Sequence, residues 1–403
     1  MRVLLIAHNA YVEPVSGAAL SVRAIMEWLH DGGHTCHAVA SGRFDQSPGL
    51  TAAAVHDTLG VPVERTGGPR PVARFMLNGV SVAAVETDHA LGNLFDRDGD
   101  AVFAAEIAAA LRSRPDVVLA YGFHPAVHDG LATARRGGAR TIYTVRGVGY
   151  DDPRWYQHAD RVLMNTGFAA RHFARTAGVF SATLPSPLVW REIEAPVETR
   201  GFVTFVNPSL RKGLALFARL ADMLARRRPD IPMLIVGSGS DPAVLAAIPE
   251  LNLASYPQIL VSPPLPHPRD IWGLTRILVA PSVFDEPFGR VAAEAMINGI
   301  PVLVSDRGGL AETVAEGGIV LPLPTWMRPE TRIVPSEAEV EPWFGAVVRL
   351  WDDSFAYDQA ARTARAAAVR LYDEASLRRR YLAYFEDPGP FPLPLAGGVA
   401  VSG

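Results

Sequence analysis

Short apolar runs alternate with stretches of helical periodicity along most of this chain, and that alternation limits the folds open to it. Residues 3–7, 35–40, 117–121, 141–145 and 161–165 have the length and apolar character of strands buried on both faces. Between them, residues 18–30 place Leu20, Ile25, Trp28 and Leu29 at helical spacing and stop at Gly32-Gly33, and residues 104–112 form a second helical stretch. Strand–helix–strand units of this kind build parallel sheets with helices on both faces. The pattern lapses over residues 184–199, where Pro185, Pro187 and Pro196 stand among Arg191, Glu192 and Glu194, as an interdomain linker would. It restarts with strand candidates at 202–206, 233–236, 258–261, 277–280 and 302–305 and helices at 214–226 and 290–298. A last helical region covers 354–385, with a break expected near Asp373. The prediction is an α/β protein of two Rossmann-like, doubly wound domains facing across a cleft, 1–185 and 186–370. A helix over 371–386 is expected to pack back on the first domain, and the Pro- and Gly-rich residues 387–403 to form a disordered tail.

Composition removes several classes of function. At 403 residues the chain is long enough for two cores, and 49% hydrophobic against 20% charged residues excludes a disordered chain. A net charge of -4 argues against nucleic acid as a partner. The single cysteine, Cys36, excludes an intramolecular disulfide framework and a cysteine-rich zinc site. No apolar run has the length of a membrane span, and residues 3–7 are too short for a secretory leader, so the expected compartment is the cytoplasm. Peripheral membrane contact and oligomeric state are left open. Of 38 lysines and arginines only Lys212 is lysine. A lysine kept in so arginine-rich a chain points to a position that needs a compact ammonium and not a planar fork.

The stretch from Pro281 to Met296 carries the most chemistry. A strand ends near Ala280, a loop containing Glu286 and Phe288 follows, and Gly289 opens a helix beginning Arg290-Val291 that holds Glu294. Free N–H groups at that helix start can hold an anion. Glu294 stands roughly 7 Å further along the axis. Two carboxylates so placed can bind two sets of hydroxyls on one extended ligand with a phosphate between them, which suits a sugar, diphosphate and ribose in line.

These residues resemble the E-x7-E signature of the retaining glycosyltransferases of family 4, which have the GT-B fold. The resemblance extends to the strand and Pro281-Ser282 before it, to Ala295-Met296 and Gly299-Ile300-Pro301-Val302 after it, to Ser305-Asp306-Arg307-Gly308-Gly309 with Glu312, and to Val236-Gly237-Ser238-Gly239 upstream. It is dense over 205–325. The resemblance implies that Glu286 binds hydroxyls of the donor sugar and Glu294 those of the ribose. The backbone of Phe288, Gly289 and Arg290 would meet the sugar, that of Val291 the phosphate. The family places an arginine and a lysine on the diphosphate; here Lys212-Gly213 matches, while Asn207-Pro208 stands where the arginine is usual and Arg211 is the remaining candidate. Gly17, in Ser16-Gly17-Ala18-Ala19, resembles the glycine-rich loop of the first domain. The family often carries a histidine where this chain has Arg146, which cannot act as a base, and His124 is the other candidate near the cleft. Catalytic candidates are thus Glu286, Lys212, His124 and Arg146. Donor-binding candidates add Gly17, Arg211, Gly237, Phe288, Gly289, Arg290, Val291 and Glu294.

The expected reaction is transfer of a sugar from a nucleotide-sugar to an acceptor hydroxyl with retention of configuration and without a metal or other cofactor. The acceptor is an unidentified small molecule, glycan or lipid-linked group. A sugar-nucleotide epimerase of the same architecture is the alternative, and a dinucleotide-dependent oxidoreductase a weaker one, since Pro242 interrupts a G-x-G-x-x-G at Gly237-Ser238-Gly239. A glycosidase using Glu286 and Glu294 and a two-domain sugar-binding protein complete the readings. His124 and His128, four apart, suggest no third metal ligand.

Overall fold

Two sheets divide the chain in the computed structural model, which describes residues 1–14, 16–44, 51–68, 70–87, 97–149, 151–197, 200–237, 248–265, 267–387 and 389. The first half runs β1 (Arg2–Ala7), α1 (Gly17–Asp31), β2 (Thr35–Ser41), α2 (Ala52–Asp57), β3 (Glu64–Arg65), β4 (Val72–Leu77), β5 (Val80–Val85), α3 (Arg97–Leu111), β6 (Val117–Tyr121), α4 (Pro125–Arg136), β7 (Arg140–Thr144), β8 (Arg161–Met164), α5 (Gly167–Thr176) and β9 (Ala182–Thr183). A short helix α6 (Trp190–Ile193) lies in the crossing. The second half runs β10 (Phe202–Val206), α7 (Leu214–Arg227), β11 (Met233–Val236), β12 (Ile259–Ser262), α8 (Pro268–Trp272), β13 (Thr275–Ala280), α9 (Arg290–Ile297), β14 (Val302–Ser305), α10 (Leu310–Val314) and β15 (Ile319–Leu321), then α11 (Glu337–Asp352), α12 (Ser354–Tyr372) and α13 (Glu374–Glu386).

Among the described residues the first sheet has the order β3-β4-β5-β2-β1-β6-β7-β8-β9, parallel except where β4 pairs antiparallel with β3 and β5. The second has the order β12-β11-β10-β13-β14-β15, all parallel. Strands such as β1 are buried from Val3 to Ala7 because helices cover both faces, which is why they read as continuous apolar runs. Phe103, Ile107, Val127 and Leu131 of α3 and α4 fill one side of the first sheet. Trp28 and Leu29 of α1 with Tyr381 and Phe385 of α13 fill the other, in a core that continues into Trp272, Met296 and Tyr372 of the second half.

The chain crosses between the halves twice, through a stretch described over residues 184–197 and where α12 passes into α13 at Asp373. The crossings bind each other: Trp190 Nε1 donates to the Tyr372 carbonyl at 2.9 Å and Trp190 N to Glu374 at 2.7 Å. Helix α13 lies on the first sheet's side, where Arg161 Nη1 donates to the Tyr384 carbonyl at 3.0 Å and Arg140 Nη2 to that of Phe385 at 2.8 Å. The expected tail at 387–403 falls almost wholly outside the described residues. No described helix is long and apolar enough to cross a membrane.

Sheet order reverses beside β1 in the first half and beside β10 in the second. Loops that follow strands on either side of such a point diverge and leave a crevice at the carboxyl ends. Here the two crevices face each other and form one cleft of about 770 Å³.

Candidate active site in the interdomain cleft

The cleft's second-half wall is built by the loop between β13 and α9. Gly289 has φ +79 and an added Cβ would lie 2.3 Å from Leu310 Cδ2, so the glycine allows both the turn and close packing. No side chain caps α9, and its first turn opens on the cleft. Gly308 explains the next loop: an added Cβ there would fall 2.3 Å from Glu286 N, and Gly309 N donates to the Glu286 carbonyl at 2.6 Å. The Glu286 loop is therefore clamped on backbone.

Glu286 is buried and takes a hydrogen bond from Ser282 Oγ at 2.6 Å and an ion pair from Lys212. Lys212 is aimed there by Gly213, whose φ of +88 starts α7 and whose missing Cβ lets the loop sit against the Pro281 carbonyl. Glu294 is buried as well; Arg290 Nε stands 2.6 Å from its Oε1 and Trp272 Nε1 donates to Oε2 at 3.2 Å. Burial pushes the Glu294 carboxyl above the usual range, opposed by the Arg290 charge and the indole hydrogen bond. Arg211 lies over the Phe284 ring at 4.5 Å, and both line the cleft with Phe288, Val291 and Gly237. Ser238, Gly239 and Pro242 lie outside the described residues.

On the first-half wall, Gly17 is the first residue of α1, N-capped by Ser16. A Cβ on Gly17 would approach Arg290 Cδ to 3.1 Å, so this glycine also makes room for a side chain from the other half. Arg290 Nη1 then reaches the Pro187 carbonyl at 2.7 Å. Thr166 Oγ1 donates to the Pro287 carbonyl at 2.5 Å, a second bond across the cleft. Arg146 follows β7 and is 7% exposed; Nη2 donates to Tyr381 Oη at 3.3 Å, while Nε and Nη1 have no hydrogen-bond partner among the described residues.

His124 requires a correction. It is the N-cap of α4, its Nδ1 accepting from Ala126 N at 3.1 Å and its Nε2 2.9 Å from Asp100 Oδ1. It lines a separate groove between α3 and α4, not the cleft. Both ring nitrogens are engaged, which leaves none for an acceptor proton or for a metal shared with His128. His128 instead stands beside His158, ring centroids 4.5 Å apart. Among the described residues no three His, Cys, Asp or Glu side chains are grouped as a metal site. The sequence reading missed Trp272, Thr166 and Tyr381, whose roles depend on contacts 22, 121 and 235 residues away. It named Arg290 without its reach to Pro187.

Residues 189–327 match the family described as glycosyl transferases group 1. The match lies within the second half and covers about a third of the chain. Among curated proteins, D-inositol 3-phosphate glycosyltransferase of Paenarthrobacter aurescens (strain TC1) is 28% identical over 150 residues, 35% of this chain and 33% of that protein. That of Nocardia farcinica (strain IFM 10152) is 35% identical over 126 residues, 29% of this chain and 27% of its own. The chain spans about a third of the length of the curated relatives it matches. Among solved structures, sucrose-phosphate synthase from Thermosynechococcus elongatus aligns with a TM-score of 0.68 at 15% identity over 96% of this chain and 98% of that one. Anabaena HepE in complex with UDP and glucose aligns with a TM-score of 0.65 at 15% identity over 95% and 98%. At such identity the likeness shows the fold, and the fold is GT-B.

Proposed function

We propose that this protein is a glycosyltransferase that moves a sugar from a nucleotide-sugar to an acceptor hydroxyl, with retention of anomeric configuration and without a metal. One observation carries the reading: Glu286 and Glu294, both buried, line one cleft on either side of the uncapped start of α9, with the chain's only lysine on Glu286. The start of α9 takes the diphosphate, Glu286 the hydroxyls of the sugar, and Glu294 those of the ribose. When a donor enters, Lys212 moves from Glu286 to the diphosphate and meets the charge that builds as the nucleoside diphosphate leaves. With cationic groups in place, the chemistry has no need of a metal. The departing phosphate oxygen takes the proton of the attacking hydroxyl, which accounts for retention without a protein nucleophile.

A panel of nucleoside diphosphates and nucleotide-sugars tests donor binding. A true donor at a hundred times its dissociation constant stabilises by about 2.7 kcal/mol, a visible thermal shift. With that donor, Glu286→Ala and Lys212→Ala each lower kcat by at least about a hundredfold while the folded spectrum survives. Full activity in either variant, or activity abolished by a chelator, overturns the assignment. Product analysis separates transfer from epimerisation, because an epimerase changes the donor with no acceptor present.

A further inference from the structure

The first-half wall of the cleft holds two buried polar groups with unmet bonding capacity. Arg146 is 7% exposed, and among the described residues its Nε and Nη1 have no partner; its hydrogen bond there, from Nη2, goes to the Tyr381 hydroxyl and not to a carboxylate. Asn165 is 4% exposed; among the described residues its Oδ1 has no partner, and its Nδ2 reaches Ser186 Oγ at 3.5 Å. Both side chains line the cleft, at the ends of the neighbouring strands β7 and β8. A guanidinium stays charged at any physiological pH, and a buried charge with no counter-ion is strongly unfavourable. A free amide end in the same wall asks for a hydroxyl.

Charge over the whole cleft points the same way. Among the described lining residues stand five cations, Arg43, Arg146, Arg211, Lys212 and Arg290, and two carboxylates, Glu286 and Glu294. Lys212 pairs with Glu286 and Arg290 with Glu294, both from the second half. A donor's diphosphate, held on that half, meets Arg211 and Lys212 there, whereas Arg146 stands on the opposite wall with no carboxylate partner among the described residues.

We infer that Arg146 and Asn165 form the acceptor subsite and that the acceptor is a hydroxylated molecule bearing an anionic group, phosphate or carboxylate. Arg146 receives the anion on an edge that Tyr381 leaves partly open, through Nε or Nη1 together with the second Nη2 proton, and Asn165 takes a hydroxyl. The inference rests on the glycosyltransferase reading only for the word acceptor; the anion preference stands on the wall itself.

Glucose 6-phosphate, glucuronate and glucose are titrated calorimetrically into the protein, free and saturated with UDP, ADP or GDP. At least one charged hexose binds about tenfold or more tighter than glucose, the scale of one charge-assisted hydrogen bond. The two charged arms tell phosphate from carboxylate. Arg146→Gln abolishes the preference and Arg146→Lys restores part of it, while nucleoside diphosphate affinity stays within about twofold. The melting temperature of Arg146→Gln does not fall, because the substitution removes a buried charge that no carboxylate balances. Lack of preference in the natural protein overturns the proposal, as does a preference that survives in Arg146→Gln. So does a nucleotide affinity that falls as far as hexose affinity, which would move Arg146 to the donor side. Failure of every nucleoside diphosphate to bind counts against the glycosyltransferase reading, and the titration of free protein still decides Arg146.

Discussion

Arg290 Nε stands 2.6 Å from Glu294 Oε1, one helical turn away, and the same guanidinium donates from Nη1 to the Pro187 carbonyl in the crossing between the halves. The carboxylate assigned to the ribose is thereby tied to the segment about which the two halves would move. Side-chain exposures of 14% and 6% make this a largely buried pair. Removing one member of such a pair strands the other charge. Arg290→Leu therefore destabilises by about 3 kcal/mol, while Arg290→Leu with Glu294→Met recovers most of the loss. Urea unfolding of both single variants and the double one measures it; simple additivity would show that the two residues are not coupled.

Glu294 also gives the site a pH dependence of definite sign. Burial raises its folded carboxyl above the usual carboxylate range. Its contribution to the stability of the free protein is thus full below the unfolded value and lost as pH rises through the folded one. Donor binding runs the other way, since ribose hydroxyls need the ionised carboxylate as acceptor. Stabilisation by a nucleotide-sugar, whose diphosphate does not titrate there, grows as pH rises from the usual carboxylate range through the raised one of Glu294. In Glu294→Gln the growth disappears. A natural protein whose thermal shift is flat over that range would remove Glu294 from the ribose.

Strands such as β1 and β10 were legible because burial on both faces leaves an uninterrupted apolar run. Glu286, Lys212 and Glu294 were legible because their spacing and the lone lysine are local. The β4–β5 hairpin is written in Asn78-Gly79, which take φ of 46 and 79 between the two strands, a turn signal that a reading of apolar runs does not pick out. The helix α3 starts at Arg97, seven residues before the expected 104, because Asp98 and Asp100 favour a first turn that apolar periodicity does not mark. His124 was misplaced for a different reason: a residue after β6 can face the cleft or the α3–α4 groove, and only Asp100 decides which. Arg146 could be seen as a departure from the family, but its two unpaired nitrogens depend on Tyr381, 235 residues away.

Cys36 lies in β2, 3% exposed, and burial pushes its thiol up to about 12. The thiolate is the reactive form, so the native protein does not react with a thiol reagent at neutral pH. Modification follows the rate of unfolding and rises in step with the unfolded fraction in urea. Rapid stoichiometric labelling without denaturant would contradict the burial.

Gly213 tests whether Lys212 acts from a fixed position. The left-handed backbone at φ +88 disfavours any side chain, and a Cβ there would lie 2.0 Å from the Pro281 carbonyl oxygen, far inside contact distance. Gly213→Ala has to separate the loop carrying Lys212 from the loop carrying Glu286, since neither a carbonyl nor a backbone turn can yield as a side chain does. Strain of this kind destabilises by at least about 2 kcal/mol. Donor affinity falls with it, because the ammonium no longer stands over the start of α9. Lys212→Arg keeps the backbone and the charge but puts a planar fork where a compact group meets Glu286, and it lowers kcat without comparable loss of stability. If Gly213→Ala left donor affinity and kcat unchanged, Lys212 would be acting from a flexible loop and its placement beside Glu286 would be incidental.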